Sequence, residues 1–342
     1  MPIASPISPA EFAALPTRLQ LRRIEKLARQ ALPLYGLSPE SKVSLLNYSE
    51  NATCLVRPPD RKPLVLRINR PGYHPRAHIA TELEWVRALR RDTPVTTAEP
   101  ISGLDGEFIQ HIWHPAVPEP RNCVLMTFLD GSEPDDGNRL DAFSLLGETT
   151  ARLHLHAASW KPSAPVRRHR WDFDAMLGDR PLWGRWQNGL GMTAAKKRDL
   201  SQLVSALRPR IAAIGESRQR FGLIHADLRT ANLLVHRGHV AVIDFDDCGF
   251  SWFIYDLAAA LSFLETHPDV PAYIDAWLVA YQKVRSLSKT EISAIESFIM
   301  LRRMLLVAWI GSHSDTDHAK AMGPEFTDDT CVLAERYLSC AT

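Results

Sequence analysis

A β-hairpin predicted near residue 240 constrains the fold of this 342-residue chain more than any other stretch. Two short apolar, β-prone runs, Leu233–Val235 and Val240–Ile243, flank a turn that contains Arg237, Gly238 and His239. Such a pair of runs around a glycine-containing turn predicts two antiparallel strands. Polar residues stand just outside both strands, so the hairpin brings their side chains to one end.

Those polar residues suit phosphoryl transfer. Asp227 and Asn232 precede the first strand, and Asp244 ends the second. Asn232 and Asp244 offer the oxygen ligands that Mg²⁺ prefers. Asp227 is then free to orient an acceptor hydroxyl and take its proton, and Arg229 could lie against the γ-phosphate. The alternative is that these Asp and Asn residues only form turns.

The pattern His-x-Asp-x4-Asn from His225, followed by Asp-Phe-Asp at residues 244–246, resembles the catalytic and metal-binding loops of the protein-kinase-like superfamily. It is similar to the branch of aminoglycoside phosphotransferases, homoserine kinases and bacterial stress-response kinases, in which Ala226 is more often glycine. The resemblance implies that Asp227 is the catalytic base. The predicted catalytic residues are Asp227, Arg229 and Asn232, and the predicted metal ligands are Asn232 and Asp244.

Composition excludes several other classes of protein. A formal net charge of +1 argues against a nucleic-acid partner. The five cysteines are scattered, which fits reduced thiols better than disulfides or a zinc site. The start of the chain lacks the pattern of a signal peptide. The apolar segment Phe298–Ile310 is short and interrupted by Arg302 and Arg303, so we expect no membrane span and a cytoplasmic protein.

The first part of the chain predicts a small mixed lobe. Ser8 and Glu11 form a candidate capping box before a lead helix that ends near Tyr35. Strands and one further helix are predicted after it, at Val43–Tyr48, Ala52–Arg57, Leu64–Ile68, His78–Arg91 (the helix), Glu107–Trp113 and Cys123–Phe128. These elements predict a twisted antiparallel sheet with a helix on one face.

Nucleotide contacts in this lobe follow from the resemblance rather than from a motif, because no glycine-rich phosphate loop is present. In the resembled family a hairpin tip covers the nucleotide phosphates. The resemblance implies that Ser49 and Asn51 do so in this chain. An ordinary polar turn is the alternative for that tip. The family hinge between the lobes binds adenine through its backbone. The resemblance implies that the Thr127 carbonyl and the Leu129 amide make these contacts here.

Arg67 stands where the resembled family has a strand lysine that binds the α- and β-phosphates. Arginine keeps the charge but is not interchangeable with lysine. The resemblance implies that Glu82 of the following helix pairs with Arg67. The alternatives are a solvent-facing arginine and a solvated Glu82, with Glu84 as a competing partner.

The remainder of the chain predicts helices. They are expected at Leu140–Trp160, Ala194–Ile214, Ala272–Val284, Thr290–Ile310 and Asp328–Leu338. By resemblance, Asp256 braces the catalytic loop. The predicted fold is α+β: a protein-kinase-like bilobed fold, with a nucleotide-binding antiparallel-sheet lobe (residues 1–129) and a larger, mainly helical catalytic and substrate-binding lobe (130–342).

The predicted reaction is transfer of the γ-phosphoryl group of ATP, with Mg²⁺, to a hydroxyl of a small amino-alcohol or amino-acid-like acceptor. A Ser/Thr protein kinase of the stress-response type is the first alternative, in which the acceptor is a protein side chain. The second is a nucleotide-binding pseudokinase that regulates a partner, suggested only by Arg67. The sequence makes no prediction about oligomeric state, and fold alone does not identify the acceptor.

Overall fold

The chain folds into two compact units. The computed structural model describes residues 7–48, 51–314 and 316–340. The first unit comprises Met1–Asp92, Thr96–Asp130 and Pro162–Arg167; the second unit comprises Thr93–Val95, Gly131–Lys161 and Arg168–Thr342. The predicted functional division after Leu129 remains a proposal.

Among its described residues, the first unit contains an antiparallel sheet and three α-helices. Its elements are α1 (Pro9–Ala13), α2 (Thr17–Ala31), β1 (Lys42–Tyr48), β2 (Ala52–Arg57), β3 (Leu64–Ile68), α3 (Arg76–Asp92), β4 (Thr96–Thr97), β5 (Pro100–Ile101), β6 (Ile109–Ile112) and β7 (Arg121–Thr127). The strand order is β1-β2-β3-β7, and both β5 and β6 pair with β7. The predicted capping box of α1 is present, with Ser8 and Glu11 exchanging both hydrogen bonds.

Alternation along the strands places apolar side chains on both faces of this sheet, because successive residues of a strand point to opposite faces. Leu66 and Leu125 join the cluster that contains Leu27 of α2. Val124, the neighbour of Leu125, joins a separate cluster with Leu83 of α3. The sheet is therefore covered by α2 on one face and by α3 on the other.

The second unit is mainly helical. Its elements are α4 (Arg139–Ser159), α5 (Phe173–Leu177), α6 (Ala194–Ile214), β8 (Phe221–Ile224), β9 (Leu233–His236), β10 (His239–Val242), β11 (Gly249–Trp252), α7 (Tyr255–Ala260), α8 (Val270–Gln282), α9 (Lys289–Ser293), α10 (Ile295–Ser312), α11 (Asp317–Met322) and α12 (Glu325–Ser339). The predicted hairpin is the β9–β10 pair, in which His239 faces His236 across a two-residue turn. Arg237 and Gly238 both have positive φ, as such tight turns require.

The structure differs from the sequence prediction in several details; among them, the lead helix is two helices, α1 and α2, and the two-residue strands β4 and β5 were not predicted. The helix predicted over Thr290–Ile310 is two helices, α9 and α10, separated at Ala294. A local capping box at Ser288 and Glu291 starts α9 separately. The pairing of β8 with β11 and the short helices α5 and α11 were not predicted, because elements of four to six residues carry too little periodicity.

Candidate active site

Two pairs of strands in the second unit hold the predicted catalytic residues. Residues 225–232 form the loop between β8 and β9, and residues 243–248 form the loop between β10 and β11. The amide of Ile243 donates to the carbonyl of Asn232 over 3.0 Å, which extends the β9–β10 hairpin by one bond. The end of the first loop therefore lies beside the start of the second, as the sequence predicted.

His225 fastens the first loop to the second. Its Nε2–H donates to the carbonyl of Ile243 over 3.1 Å, and its Nδ1 accepts from the amide of Asp227 over 3.3 Å. The ring also packs on Phe245, with 4.5 Å between the ring centroids. One buried imidazole thus ties the backbone of Asp227 to the residue before Asp244.

Asp227 is the centre of the hydrogen-bond network. Nδ2 of Asn232 donates to its Oδ2 over 2.8 Å and also to its carbonyl over 2.8 Å. Nε of Arg229 donates to the same Oδ2 over 3.2 Å, while Nη2 of Arg302 donates to Oδ1. The structure therefore brings together the three predicted catalytic residues and adds Arg302.

These donors keep the Asp227 carboxylate ionised. Burial opposes the charge, but Arg229, Arg302 and His225 outweigh it and hold the pKa of Asp227 below its usual value. Burial likewise opposes the charge of Arg229, yet Asp227 and Asp244 raise the pKa of its guanidinium. An ionised carboxylate can accept a hydroxyl hydrogen, which is what the assigned role of Asp227 requires.

Asp256 of α7 braces the backbone just before Asp227. Its Oδ1 accepts from the amide of Ala226 over 2.8 Å, and its Oδ2 accepts from the amide of His225 over 3.2 Å. Ala226 has φ of +69°, in the left-handed region that favours glycine. The buried Asp256 carboxylate therefore helps to hold Ala226, which unlike glycine carries a Cβ, in a strained backbone conformation.

A chain of three further side chains orients Asp256. Nε2 of His154 donates to Asp256 Oδ2 over 3.0 Å, and Nδ1 of His154 accepts from the Tyr281 hydroxyl over 2.8 Å. Arg285 donates in turn to the Tyr281 oxygen over 2.7 Å. Burial lowers the pKa of His154 despite the bond to Asp256, so the ring is neutral.

The predicted metal ligands suit a hard cation. Nδ2 of Asn232 uses both of its hydrogens on Asp227, which turns the Asn232 side-chain oxygen away from that carboxylate. Asp244 is exposed and has φ of +61°, a left-handed conformation that Asp tolerates better than most residues. One amide oxygen and one exposed carboxylate are donors of the kind that Mg²⁺ takes.

In the first unit, Arg67 and Glu82 form a buried two-point ion pair. Nη1 and Nη2 of Arg67 donate to Oε1 and Oε2 of Glu82 over 2.8 and 2.7 Å. Strand β3 lies between β2 and β7, and Arg67 is 3% exposed, so the alternative of a solvent-facing arginine is wrong. The competing residue Glu84 instead accepts from the amide of Ser163.

The remaining predicted nucleotide contacts lie at the ends of strands. Ser49 falls outside the described residues. The side-chain oxygen of Asn51 accepts from the amide of Arg70 over 3.1 Å, which links the start of β2 to the residues after β3. Thr127 Oγ1 accepts from the amide of Glu99 over 2.8 Å, and Leu129 is partly buried after the end of β7. Their roles toward a nucleotide stay predictions.

Two groups of residues at this site were missed by sequence reasoning. Arg302 was noted only as an interruption of an apolar segment, although a charged residue in such a segment signals a buried partner. No sequence pattern links His154 to Tyr281 and Arg285, which lie more than 100 positions further along the chain. In the described parts of the chain, no helix is long and apolar enough to span a bilayer.

Comparisons with known proteins agree on one family. Residues 45–291 match a family described as "Phosphotransferase enzyme family" (APH). The chain is 25% identical to the amicoumacin kinase of Bacillus subtilis (strain 168) over 301 residues, which is 82% of this chain and 83% of that protein.

Two solved structures of kinases superpose on most of this chain. The microcompartment-associated aminopropanol kinase superposes with a TM-score of 0.85 and 38% identity, covering 92% of this chain and 98% of that one. The amicoumacin kinase hAmiN, solved with AMP-PNP, Ca²⁺ and Ami, has a TM-score of 0.75 and 22% identity, covering 92% and 96%. The predicted α+β, protein-kinase-like fold is confirmed.

Proposed function

Because this chain belongs to the APH phosphotransferase enzyme family, we propose that it transfers the γ-phosphoryl group of ATP to the hydroxyl of a small amino alcohol. The observation that carries this proposal is the 38% identity to an aminopropanol kinase over 92% of the chain. The family match, over residues 45–291, spans both predicted catalytic loops. The predicted class of enzyme, an ATP-dependent kinase with an alcohol acceptor, agrees with this family.

Asp227 acts on the acceptor in this proposal. Its ionised carboxylate accepts the hydroxyl hydrogen and orients the oxygen for in-line attack on the γ-phosphorus. The new O–P bond forms as the bond between that phosphorus and the ADP oxygen breaks, and the proton passes to Asp227. Arg229, whose guanidinium lies beside Asp227, stabilises the charge on the transferred group.

Asn232 and Asp244 would hold the metal. A bound Mg²⁺ neutralises the charge of the phosphates. Asn232 has a second task, because its amide nitrogen fixes Asp227 while its oxygen is directed elsewhere. One side chain thereby sets the position of the base relative to the metal ligand.

The nucleotide contacts complete the proposal. Arg67, held by Glu82, supplies positive charge for the phosphates, and Ser49 and Asn51 cover them. The backbone groups of Thr127 and Leu129 bind adenine. All five cysteines lie in the described part of the chain as thiols rather than disulfides, which together with the use of ATP favours a cytoplasmic location.

A panel of acceptors tests the proposed reaction. ADP release is measured with ATP and Mg²⁺ in the presence of 1-amino-2-propanol, ethanolamine, an aminoglycoside or a generic protein substrate. Propylamine and 2-propanol are the matched controls, since each lacks one of the two functional groups. We expect the amino alcohols to stimulate ADP release well above the rate without acceptor, and both controls to be inert.

Other outcomes would identify the alternatives. Phosphorylation of the protein substrate with inert amino alcohols would overturn the small-molecule assignment in favour of a protein kinase. Binding of ATP without turnover on any acceptor would indicate a pseudokinase. The amicoumacin kinase and the aminopropanol kinase are named for small molecules, which favours a small-molecule acceptor over both alternatives.

A further inference from the structure

Arg302 is a buried cation that reaches the catalytic loop from a distant helix. It lies in the middle of α10 and is 2% exposed. Its guanidinium donates to Oδ1 of Asp227, to the carbonyl of Ala226 over 3.4 Å and to the Tyr255 hydroxyl over 3.3 Å. Nε donates to Ser262 Oγ over 2.9 Å, so the side chain is fixed at both ends of its planar group.

The hydrogen bonds of Asp227 show which of its oxygens can accept a further donor. A carboxylate has about four acceptor positions, two on each oxygen. Asn232 and Arg229 both donate to Oδ2, whereas Arg302 is the single donor to Oδ1 among the residues that the structure describes. Oδ2 is therefore saturated, and the remaining acceptor position lies on Oδ1.

We propose that Arg302 is a positioning residue, which holds Oδ1 of Asp227 in the direction of the acceptor hydroxyl. Oδ1 is then the oxygen that receives the hydroxyl hydrogen when the O–P bond forms. This inference rests on the proposed function, because it assumes that Asp227 meets an acceptor hydroxyl. Arg302 itself touches neither the acceptor nor ATP in this assignment and acts through Asp227.

The geometry explains why an arginine occupies this place. The planar guanidinium serves the side chain of Asp227 and the carbonyl of Ala226 at once, so it fixes both the carboxylate and the strained residue before it. Asp256 holds the other side of Ala226 through its amide. A lysine carries one compact ammonium group and cannot span the same set of acceptors.

The next residue along α10 provides a matched control. Arg303 is equally buried at 2% and pairs with Glu265 over 2.8 Å, Thr330 Oγ1 over 2.8 Å and the Phe326 carbonyl over 3.0 Å. None of these partners belongs to the catalytic loop. Substituting Arg303 therefore reproduces the loss of a buried arginine without disturbing Asp227.

The kinetic test compares Arg302→Lys and Arg302→Ala with Arg303→Lys and Arg303→Ala. We expect kcat to fall about 10²-fold in the Arg302 variants, since a misplacement of about 1 Å costs roughly that much. KM for ATP should change less than about twofold, because the residue acts on the base and not on the nucleotide. Added guanidinium ion should restore part of kcat in Arg302→Ala and none in Arg303→Ala.

A second measurement does not depend on the acceptor. Hydrogen exchange of a peptide covering residues 221–232 reports the order of the catalytic loop. It should be faster in Arg302→Lys than in the parent and unchanged in Arg303→Lys. If the parent has no activity with any acceptor, the proposed function fails, but this comparison still judges the positioning of the loop.

Three results would overturn the inference. One is full kcat in Arg302→Lys or Arg302→Ala. Another is an equal loss of kcat in the Arg302 and Arg303 variants, which would indicate general destabilisation. The third is unchanged exchange in residues 221–232 after Arg302→Lys. If Arg302→Ala does not fold, Ser262→Ala and Tyr255→Phe loosen the guanidinium more gently, and each should lower kcat in the same direction.

Discussion

Each of the two units contains a buried arginine–carboxylate ion pair that includes a predicted site residue, Arg67–Glu82 in the first and Arg302–Asp227 in the second. These two pairs differ in what the carboxylate does. In the first unit Glu82 gives both oxygens to Arg67, so the acid serves only to orient the cation. In the second unit Arg302 takes one oxygen of Asp227, and Asn232 and Arg229 take the other. Here the cation serves to orient the acid.

In the proposed function, these similar buried pairs present opposite partners to the substrates: the arginine in the first unit and the carboxylate in the second. Burying an ion pair costs desolvation energy that good geometry only partly offsets, so such pairs are weak sources of stability. We infer that both are retained for what they position: Arg67 for the phosphates of ATP and Asp227 for the acceptor hydroxyl. Substitutions in the two pairs, and in the residues that brace Asp227, test this comparison.

The largest effect is expected for Asp227→Asn. The amide cannot accept the proton of the acceptor, so kcat should fall by about 10²–10⁴-fold. The affinity for Mg²⁺–ATP should change little, since Asp227 is not a proposed ligand of either. Steady-state kinetics and calorimetric titration with ATP test the two halves of this prediction. Parental turnover in the Asn variant would remove Asp227 from the mechanism.

Arg67→Ala should affect the nucleotide instead of the acceptor. A lost charged hydrogen bond is worth about 1.5–3 kcal/mol, so KM for ATP should rise about 10- to 100-fold. Arg67→Lys should retain much of the activity, because lysine places a point charge on the same oxygens. Glu82→Ala should cause a milder loss, and the double variant should be less than additive, since the two residues act as one unit. Unchanged ATP kinetics in Arg67→Ala would mean that this pair has only a structural role.

Ala226→Gly probes the strained residue that links the brace to Asp227. Glycine relieves a left-handed conformation that costs an alanine about 1–2 kcal/mol, but it adds entropy to the unfolded chain worth about 0.5–1 kcal/mol. The free energy of unfolding should therefore rise by about 1 kcal/mol or less. Urea unfolding of the parent and the variant measures the difference, and Ala212→Gly in helix α6 is the control that should only destabilise. A destabilised Ala226→Gly variant would show that the strain is not stored at this residue.

The smallest effect concerns pH and the side chain behind Asp256. Burial lowers the pKa of His154 below its ordinary value of 6.5, so the unfolded chain binds a proton more readily than the folded one. The stability that the neutral ring contributes is complete above pH 6.5 and is lost as the pH falls toward the lowered pKa. The slope is at most about 1.4 kcal/mol per pH unit.

His154→Gln removes this titration while an amide can still donate to Asp256. We expect the difference in unfolding free energy between pH 7.5 and about pH 5.5 to be smaller in the variant than in the parent, by at most about 1.4 kcal/mol, because only the pH unit below 6.5 contributes. Urea unfolding at the two pH values gives the comparison, and all other titrating groups are common to both proteins. Equal pH dependence in the two would show that His154 titrates normally.

Most of the local structure could be predicted from the sequence. The hairpin around Gly238, the helix over Ala194–Ile214 and the three strands β1 to β3 follow from apolar runs and turn residues that act within a few positions. Short elements such as β11 were missed, since four residues carry little periodic signal and their pairing is set by a strand more than 20 residues away.

The sequence by itself determined the proposed catalytic motif, because Asp227, Asn232 and Asp244 flank one hairpin whose local pairing brings the two loops together. It also determined, through family resemblance, which residue would pair with Arg67. Only the tertiary structure decided what holds the motif in place. Arg302 is 75 positions from Asp227, and His154 is 102 positions from Asp256. Contacts over such separations depend on how helices pack, and no pattern of neighbouring residues encodes them.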